Sequence, residues 1–182
     1  ITIAANGSFS YNPPRGFEGT DTYQYTLNDG NAVAGVTATD LGTVSFTVSG
    51  MIWFIDNTST CSSNCDGRLS NPYTSLGAFN TANALSGGLD PDNNDNIFMY
   101  ESATAYTGGI VLRNGQKLVG QDATVTLELA LGLTLPTFSN GLPAMFLGAP
   151  FATITNAGGD GVTLGQSNTL RGFNIGACSD FG

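Results

Sequence analysis

Two short stretches constrain this chain more than anything else in it. "TYQYTL" (22–27) puts Tyr23, Tyr25 and Leu27 on one side of an extended backbone, with Thr22, Gln24 and Thr26 on the other. "TVSFTV" (43–48) aligns Val44, Phe46 and Val48 in the same way. A period of two residues fits the pleat of a β-strand and no helix, so both segments are expected in sheets with one buried and one wet face, as in a sandwich. "GSFSY" (7–11) pairs Phe9 with Tyr11 on one face, and "NPPRG" and "NDGN" supply the turns.

After "SG" at 49–50 the pattern changes. "MIWFID" (51–56) is apolar throughout rather than alternately, as expected of a strand buried on both faces. A polar loop leads to "NPYTSLGAFNTANAL" (71–85), where Leu76, Phe79, Ala82 and Leu85 recur at near-helical spacing behind a start signal. This predicts one short amphipathic helix. Short strands are expected beyond it at "NIFMY" (96–100), "GIVLR" (109–113), "QKLVG" (116–120), "TVTLEL" (124–129) and "AMFLGA" (144–149). In the tail, "ATITNA", "GVTLG" and "NTLRGFNIG" place Ile154 and Ile175 in similar surroundings 21 positions apart, about one coil of a solenoid. Short strands, Gly/Asn turns and inward apolar residues once per coil are the marks of a parallel β-helix. Ile154, Leu164, Leu170 and Ile175 are then expected inside it. The fold class is all-β, divided into residues 1–50 and 51–182.

Charge removes several function classes. With 14 acidic residues, 5 basic residues, no His and a net charge of −9, the chain lacks the basic patch that nucleic acid or an anionic membrane surface requires. Only 10% of residues are charged while Gly contributes 25, which suits a β-rich extracellular protein. No segment reaches the ~20 apolar residues of a membrane span. The most apolar region, "LELALGLTLP" (127–136), carries Glu128.

The first segment resembles the tandem bacterial Ig-like or cadherin-like repeats. Gly7, Phe9, Tyr11, Pro13, Gly16, Phe17, Gly19, Asp21, Tyr23, Tyr25, Asp29, Gly30 and the strand at 44–48 follow the pattern of the later half of such a repeat. A full repeat has about seven strands in ~100 residues. The resemblance therefore implies a partial sandwich and a chain that is a piece of a longer one. The second segment resembles the start of the right-handed, pectate-lyase-like β-helix of large secreted bacterial repeat proteins, through "WFIDN", "DGRLSNPYTSLGAFN", "DNIFMYESATAYTGGIVLRNGQKLVGQ" and "GGDGVTLGQSNTLRGFNIG". It implies that the helix caps the first coil, and that the protein is secreted or held at the cell surface. The implied role is structural or adhesive, without catalysis in this segment. The alternative is the non-catalytic entry to a carbohydrate-active β-helix enzyme, a polysaccharide lyase or hydrolase. Implied partners are the chain itself, through strand complementation or a filament, or a glycan or other cell-surface ligand.

"DPDNNDNIFMYE" (90–101) is the sharpest candidate site. Asp90, Asp92 and Asn94 take positions 1, 3 and 5 of a calcium hairpin and Glu101 takes position 12, with Asp95 adding a carboxylate. Position 6 should be Gly and is Asp95, and Ile97–Tyr100 reads as a strand that carries Glu101 away. An exposed acidic turn is the competing explanation, and a looser calcium site from Asp90, Asp92, Asn94 and Asp95 is the other. Asp21 and Asp29 offer calcium ligands of a cadherin-like kind, or simply turn and cap residues. For glycan cleavage the tail has only Asp160 and Arg171, without the paired carboxylates a hydrolase needs. Without His, a serine or cysteine nucleophile has no usual base. Cys61 and Cys65 share the polar loop "CSSNCDG" and are expected to form a local disulfide in an oxidising compartment, which leaves Cys178 over.

Overall fold

The computed structural model describes residues 1–4, 6–33, 36–85 and 87–179, and the chain separates into two units. The first comprises residues 1–13 and 17–49, the second residues 14–16 and 50–182.

In the first unit, strand β1 (Thr2–Ile3) pairs antiparallel with β2 (Phe9–Ser10). A long antiparallel ribbon follows, β3 (Gly19–Val33) with β4 (Val36–Val48), in which Tyr23 faces Val44 and Asp21 faces Phe46. The alternation sorts the two faces as the sequence demands. Phe46 gathers Phe9, Tyr11 and Tyr23 at ring-centroid distances of 5.3, 4.6 and 6.2 Å. The other face carries the hydroxyl pairs Thr20–Thr47 and Thr22–Ser45, both at 3.3 Å. The expected burial of the apolar face is not reached, since no described side chain of this unit is buried. Among the described residues only the short β1–β2 pair and Tyr11 lie over the two-stranded ribbon, too little to bury its apolar face. "NDGN" is not a chain reversal either. Asn28 Oδ1 accepts from the Gly30 N–H at 2.8 Å, Gly30 takes φ +74°, and the ladder shifts register between Asn28 and Ala32 before resuming. The signal marks a bulge within a longer strand.

The second unit runs β5 (Ile52–Ile55), α1 (Leu76–Leu85), β6 (Asn96–Met99), β7 (Tyr106–Thr107), β8 (Ile110–Val111), β9 (Lys117–Gly120), α2 (Leu127–Leu131), β10 (Thr153–Asn156), β11 (Val162–Thr163), β12 (Thr169–Arg171) and β13 (Asn174–Cys178). Every pairing between these strands is parallel. They form three sheets in the orders β5-β6-β9-β12, β7-β10-β13 and β8-β11. From β6 onward the chain visits the three sheets in a fixed rotation and returns to each one strand further along.

Register makes the core. Trp53, Ile97, Leu118 and Leu170 stand in one row across the first sheet. Trp53, Ile55, Ile97, Met99 and Leu118 face a cluster that also holds Tyr106, Ile110, Ile154 and Leu76 and Phe79 of α1. Ile52, Phe54, Phe98 and Val119 point the opposite way, against Leu127 and Leu131 of α2. That explains the unbroken apolar run at 51–56, because alternate residues fill two different cores.

Helix α2 corrects the sequence expectation of a strand at 124–129 and of a single helix. Thr126 caps the N-terminus, accepting from the Leu129 N–H at 3.4 Å, and Gly132 at φ 73° closes the C-terminus. Between these stops Leu127 and Leu131, four residues apart, turn one stripe onto the sheet. The period-two reading of "TVTLEL" matched only by accident of Thr and Leu order. "AMFLGA" (144–149) is likewise no strand. Pro143 and Pro150 bracket it, and its backbone meets the sheet region only around Gln121 among the described residues, the Phe146 N–H donating to the Gln121 carbonyl at 2.9 Å and the Ala144 carbonyl accepting from Gln121 Nε2 at 2.8 Å.

The third correction concerns the last strands. Ile154 and Ile175 do stand opposite each other in the β10–β13 register, but Ile175 is 54% exposed, and Leu164 and Leu170 are 57% and 40% exposed. They lie on the outermost strands, or beside them, with no strand beyond among the described residues.

Candidate functional site

The acidic segment 90–95 is a tightly tethered loop. Arg15, which belongs to the second unit, donates to Asp90 Oδ1 at 2.6 Å. Asp95 Oδ2 accepts from the Asp92 N–H at 2.7 Å and from the indole N–H of buried Trp53 at 2.8 Å. Asp92 lies 3.9 Å from the Arg113 guanidinium, and its carbonyl accepts from Gln116 Nε2 at 2.9 Å. Asn94 adopts φ +68° and its N–H bonds the Asn114 carbonyl at 2.9 Å. The oxygens proposed for calcium thus already serve Arg15, Trp53 and the loop backbone. Glu101 sits beyond the end of β6, where its N–H bonds Gln121 Oε1 at 3.0 Å. Among the described residues, no three Asp, Glu or Cys side chains converge as a cation would need. Sequence placed Trp53 in the core and missed its bond to Asp95, which only the parallel return of the chain from β5 to β6 creates.

Asp21 occupies a different setting. Its carboxylate accepts from the Tyr23 hydroxyl at 2.6 Å, the Tyr11 hydroxyl at 3.2 Å and the Thr22 N–H at 3.0 Å. The Tyr23 bond above all, with those from Tyr11 and Thr22, holds its acidity below the usual carboxylate range, against an opposing effect of burial. The same bond pushes Tyr23 up to about 12, with burial adding to it. The cluster ties β2's exit to the ribbon. The side chain of Asp29 lies outside the described residues.

Cys61 and Cys65 are joined, with Cα atoms 5.8 Å apart, beside Asn64 at φ +53°. Cys178 is a free thiol on β13. Asp160 and Arg171 are exposed, and among the described residues neither carries an ion pair.

The two ends of the stacked sheets differ most. At one end the outer edges of β5 and β8 are closed by other parts of the chain. Along β5, the Phe54 N–H bonds the Gly67 carbonyl at 2.8 Å, while the Tyr73 N–H bonds Phe54 and the Asp56 N–H bonds Tyr73 at 2.9 and 2.8 Å. Near β7, Asn57 Nδ2 donates to the Thr104 carbonyl at 2.8 Å. Over β8, α1 lays two asparagines. Asn80 donates to the Gly109 carbonyl at 2.8 Å and accepts from the Val111 N–H at 3.0 Å, as a neighbouring strand would. Asn83, one turn on, donates to the Val111 carbonyl at 2.8 Å and accepts from buried Gln116 at the same distance. Edge strands left bare are pairing templates, and here the helix blunts one. Only the apolar half of this helix was legible beforehand; the Asn80–Asn83 spacing was the unused signal.

At the other end β11, β12 and β13 carry no such cover among the described residues. A cavity of about 400 Å³ opens there, lined by Asp160, Gly161, Val162, Ile175, Gly176 and Cys178.

Residues 1–47 match the bacterial Ig domain family. With strands dominating both units and only two helices among the described residues, the class is an all-β protein that opens on a bacterial Ig-like segment. No curated protein and no solved structure matches the chain. No described helix is long and apolar enough to cross a membrane.

Proposed function

We propose that this chain is a structural or adhesive module of a large bacterial protein that is secreted or displayed at the cell surface. In this reading the Ig-like segment belongs to a stalk, and residues 51–182 are the capped opening of a right-handed parallel β-helix. The observation that supports it best is the fixed rotation of the chain through three all-parallel sheets, with the first edges at β5 and β8 closed by the 67–73 loop and the asparagines of α1. A closed first end and a long repetitive flank suit a rigid rod that presents surface rather than a pocket that turns over substrate. Bacterial Ig-like domains are commonly found in surface or secreted proteins, which agrees with the Cys61–Cys65 bridge and the low charge. A glycan or other cell-surface ligand is the partner class that goes with this reading.

Antibody raised against residues 1–182 should label intact, unpermeabilised cells of the source bacterium. Labelling only after permeabilisation would sink the surface reading. Release of unsaturated sugars from acidic polysaccharides by the purified chain would instead support the lyase alternative.

A further inference from the structure

The loop that leaves β5 turns back to seal it. Asp56, just past the strand, starts a turn: its carboxylate accepts from the Thr58 N–H and hydroxyl at 2.8 and 2.7 Å. Its carbonyl accepts from the Ser59 N–H at 3.3 Å, and the Cys61 N–H bonds Ser59 Oγ at 3.2 Å. Cys61 is bridged to Cys65, and two residues further on the Gly67 carbonyl accepts from the Phe54 N–H at 2.8 Å. The bridge therefore joins the stretch anchored at the end of β5 to the stretch that pairs with its outer edge, bypassing residues 62–64.

Further contacts make the closed position specific. Gly67 takes φ +82° and lies so close to Trp53 and Tyr73 that an added Cβ would collide with both rings. Its N–H bonds the Asn71 carbonyl at 2.9 Å. Within the ring Asn64 holds φ +53°, and its carbonyl accepts from Asn71 Nδ2 at 3.2 Å. Cys61 and Cys65 are partly exposed and Ser62, Ser63 and Asn64 are exposed, so the ring lies at the surface, within reach of a small reductant.

We propose that the Cys61–Cys65 bridge is a redox-controlled latch on the outer edge of β5, closed when oxidised and released by a dithiol. In release, a thiolate of the dithiol attacks one sulfur, the protein S–S bond breaks and a mixed disulfide forms. The second thiol of the reductant resolves it. Two electrons and two protons pass to the protein, leaving Cys61 and Cys65 as thiols and the reductant as a disulfide. The small ring restricts the opened loop far more than the closed one, so its loss favours opening about tenfold or more. Opening bares the Phe54 N–H and carbonyl and the Asp56 N–H, a template for another strand. Under the export reading above, the chain meets oxidising surroundings on leaving the cell, and the edge is sealed at that point. That timing rests on the export reading; the latch itself does not.

Amide-resolved hydrogen exchange on residues 1–182, with and without excess dithiothreitol, is the test. Alkylation should count one thiol in the untreated protein and three after treatment. Exchange at Phe54, Asp56 and Tyr73 is expected to quicken about tenfold or more on reduction, while Phe98, on the inner strand β6, keeps its rate. The double variant Cys61→Ser, Cys65→Ser should show the fast rates without dithiol and no response to it. Unchanged rates on reduction, or a bridge that resists the reagent in the native protein, would overturn the proposal. So would an equal acceleration at Phe98, which would make the bridge a staple of the whole unit rather than a latch on one edge. None of these outcomes bears on the labelling of intact cells, so the latch and the surface reading fail separately.

Discussion

Ile154 and Ile175 face each other across the parallel pair β10–β13, yet Ile154 is fully buried and Ile175 is half exposed. The pair shows how far position in the stack, rather than residue type, sets the energetics. Ile154→Asp buries a carboxylate with no partner and is expected to cost several kcal/mol, whereas Ile175→Asp should cost less than about 1 kcal/mol. Chemical denaturation at low protein concentration measures both, and equal losses would contradict the assigned burial.

Asn80 completes the edge of β8 through two bonds, to Gly109 and from Val111. Asn80→Ala should destabilise the second unit by about 1–3 kcal/mol, because both backbone groups lose their partner. The amide of Val111 should then exchange faster with solvent, while those of β6, in the middle of the first sheet, change little. Unchanged protection at Val111 would mean that α1 does not seal this edge.

The chain has a single tryptophan, and its indole N–H is held by Asp95. Fluorescence therefore reports on one known environment. Asp95→Ala leaves a buried donor unpaired and frees the 92–95 turn, at an expected cost of about 1–3 kcal/mol with a shifted emission maximum. Asp95→Asn keeps an acceptor and should lose less.

Calcium at Asp90, Asp92, Asn94 and Asp95 would have to displace Arg15 from Asp90 and compete with Trp53 for Asp95. Thermal unfolding in millimolar calcium and in excess chelator is accordingly expected to coincide. A midpoint several degrees higher with calcium would show that these oxygens rearrange around the ion.

Tyr23 and Asp21 make the first unit's ribbon sensitive to pH at both extremes. The folded carboxylate titrates below its usual value, so its contribution is complete above the ordinary carboxylate range and disappears as pH falls through the lowered value. Tyr23 behaves in the opposite sense. Its hydroxyl must stay protonated to donate, so its contribution is complete below the ordinary phenol value of 10.0 and is lost as pH rises toward about 12. Asp21→Asn should bring the Tyr23 titration, followed by NMR of the ring, back toward that ordinary value.

Local pattern by itself determined the strands at 22–27 and 43–48, the apolar run at 51–56, the helix ending at Leu85 and the 21-residue recurrence of Ile154 and Ile175. Each of these is written in side-chain periodicity, which the backbone geometry of strand or helix imposes directly. The strand expected at 124–129 became α2 because Thr126 and Gly132 supply both stops and the underside of Phe54, Phe98 and Val119 needed covering. Only the tertiary structure could decide that Asp95 serves Trp53, that Asn80 stands in for a strand, and that Leu170 and Ile175 are exposed where Leu118 and Ile154 are buried. Those outcomes depend on which segments come to lie side by side, and the parallel returns that bring 53 to 95 or 80 to 111 leave no trace in the spacing of neighbouring residues.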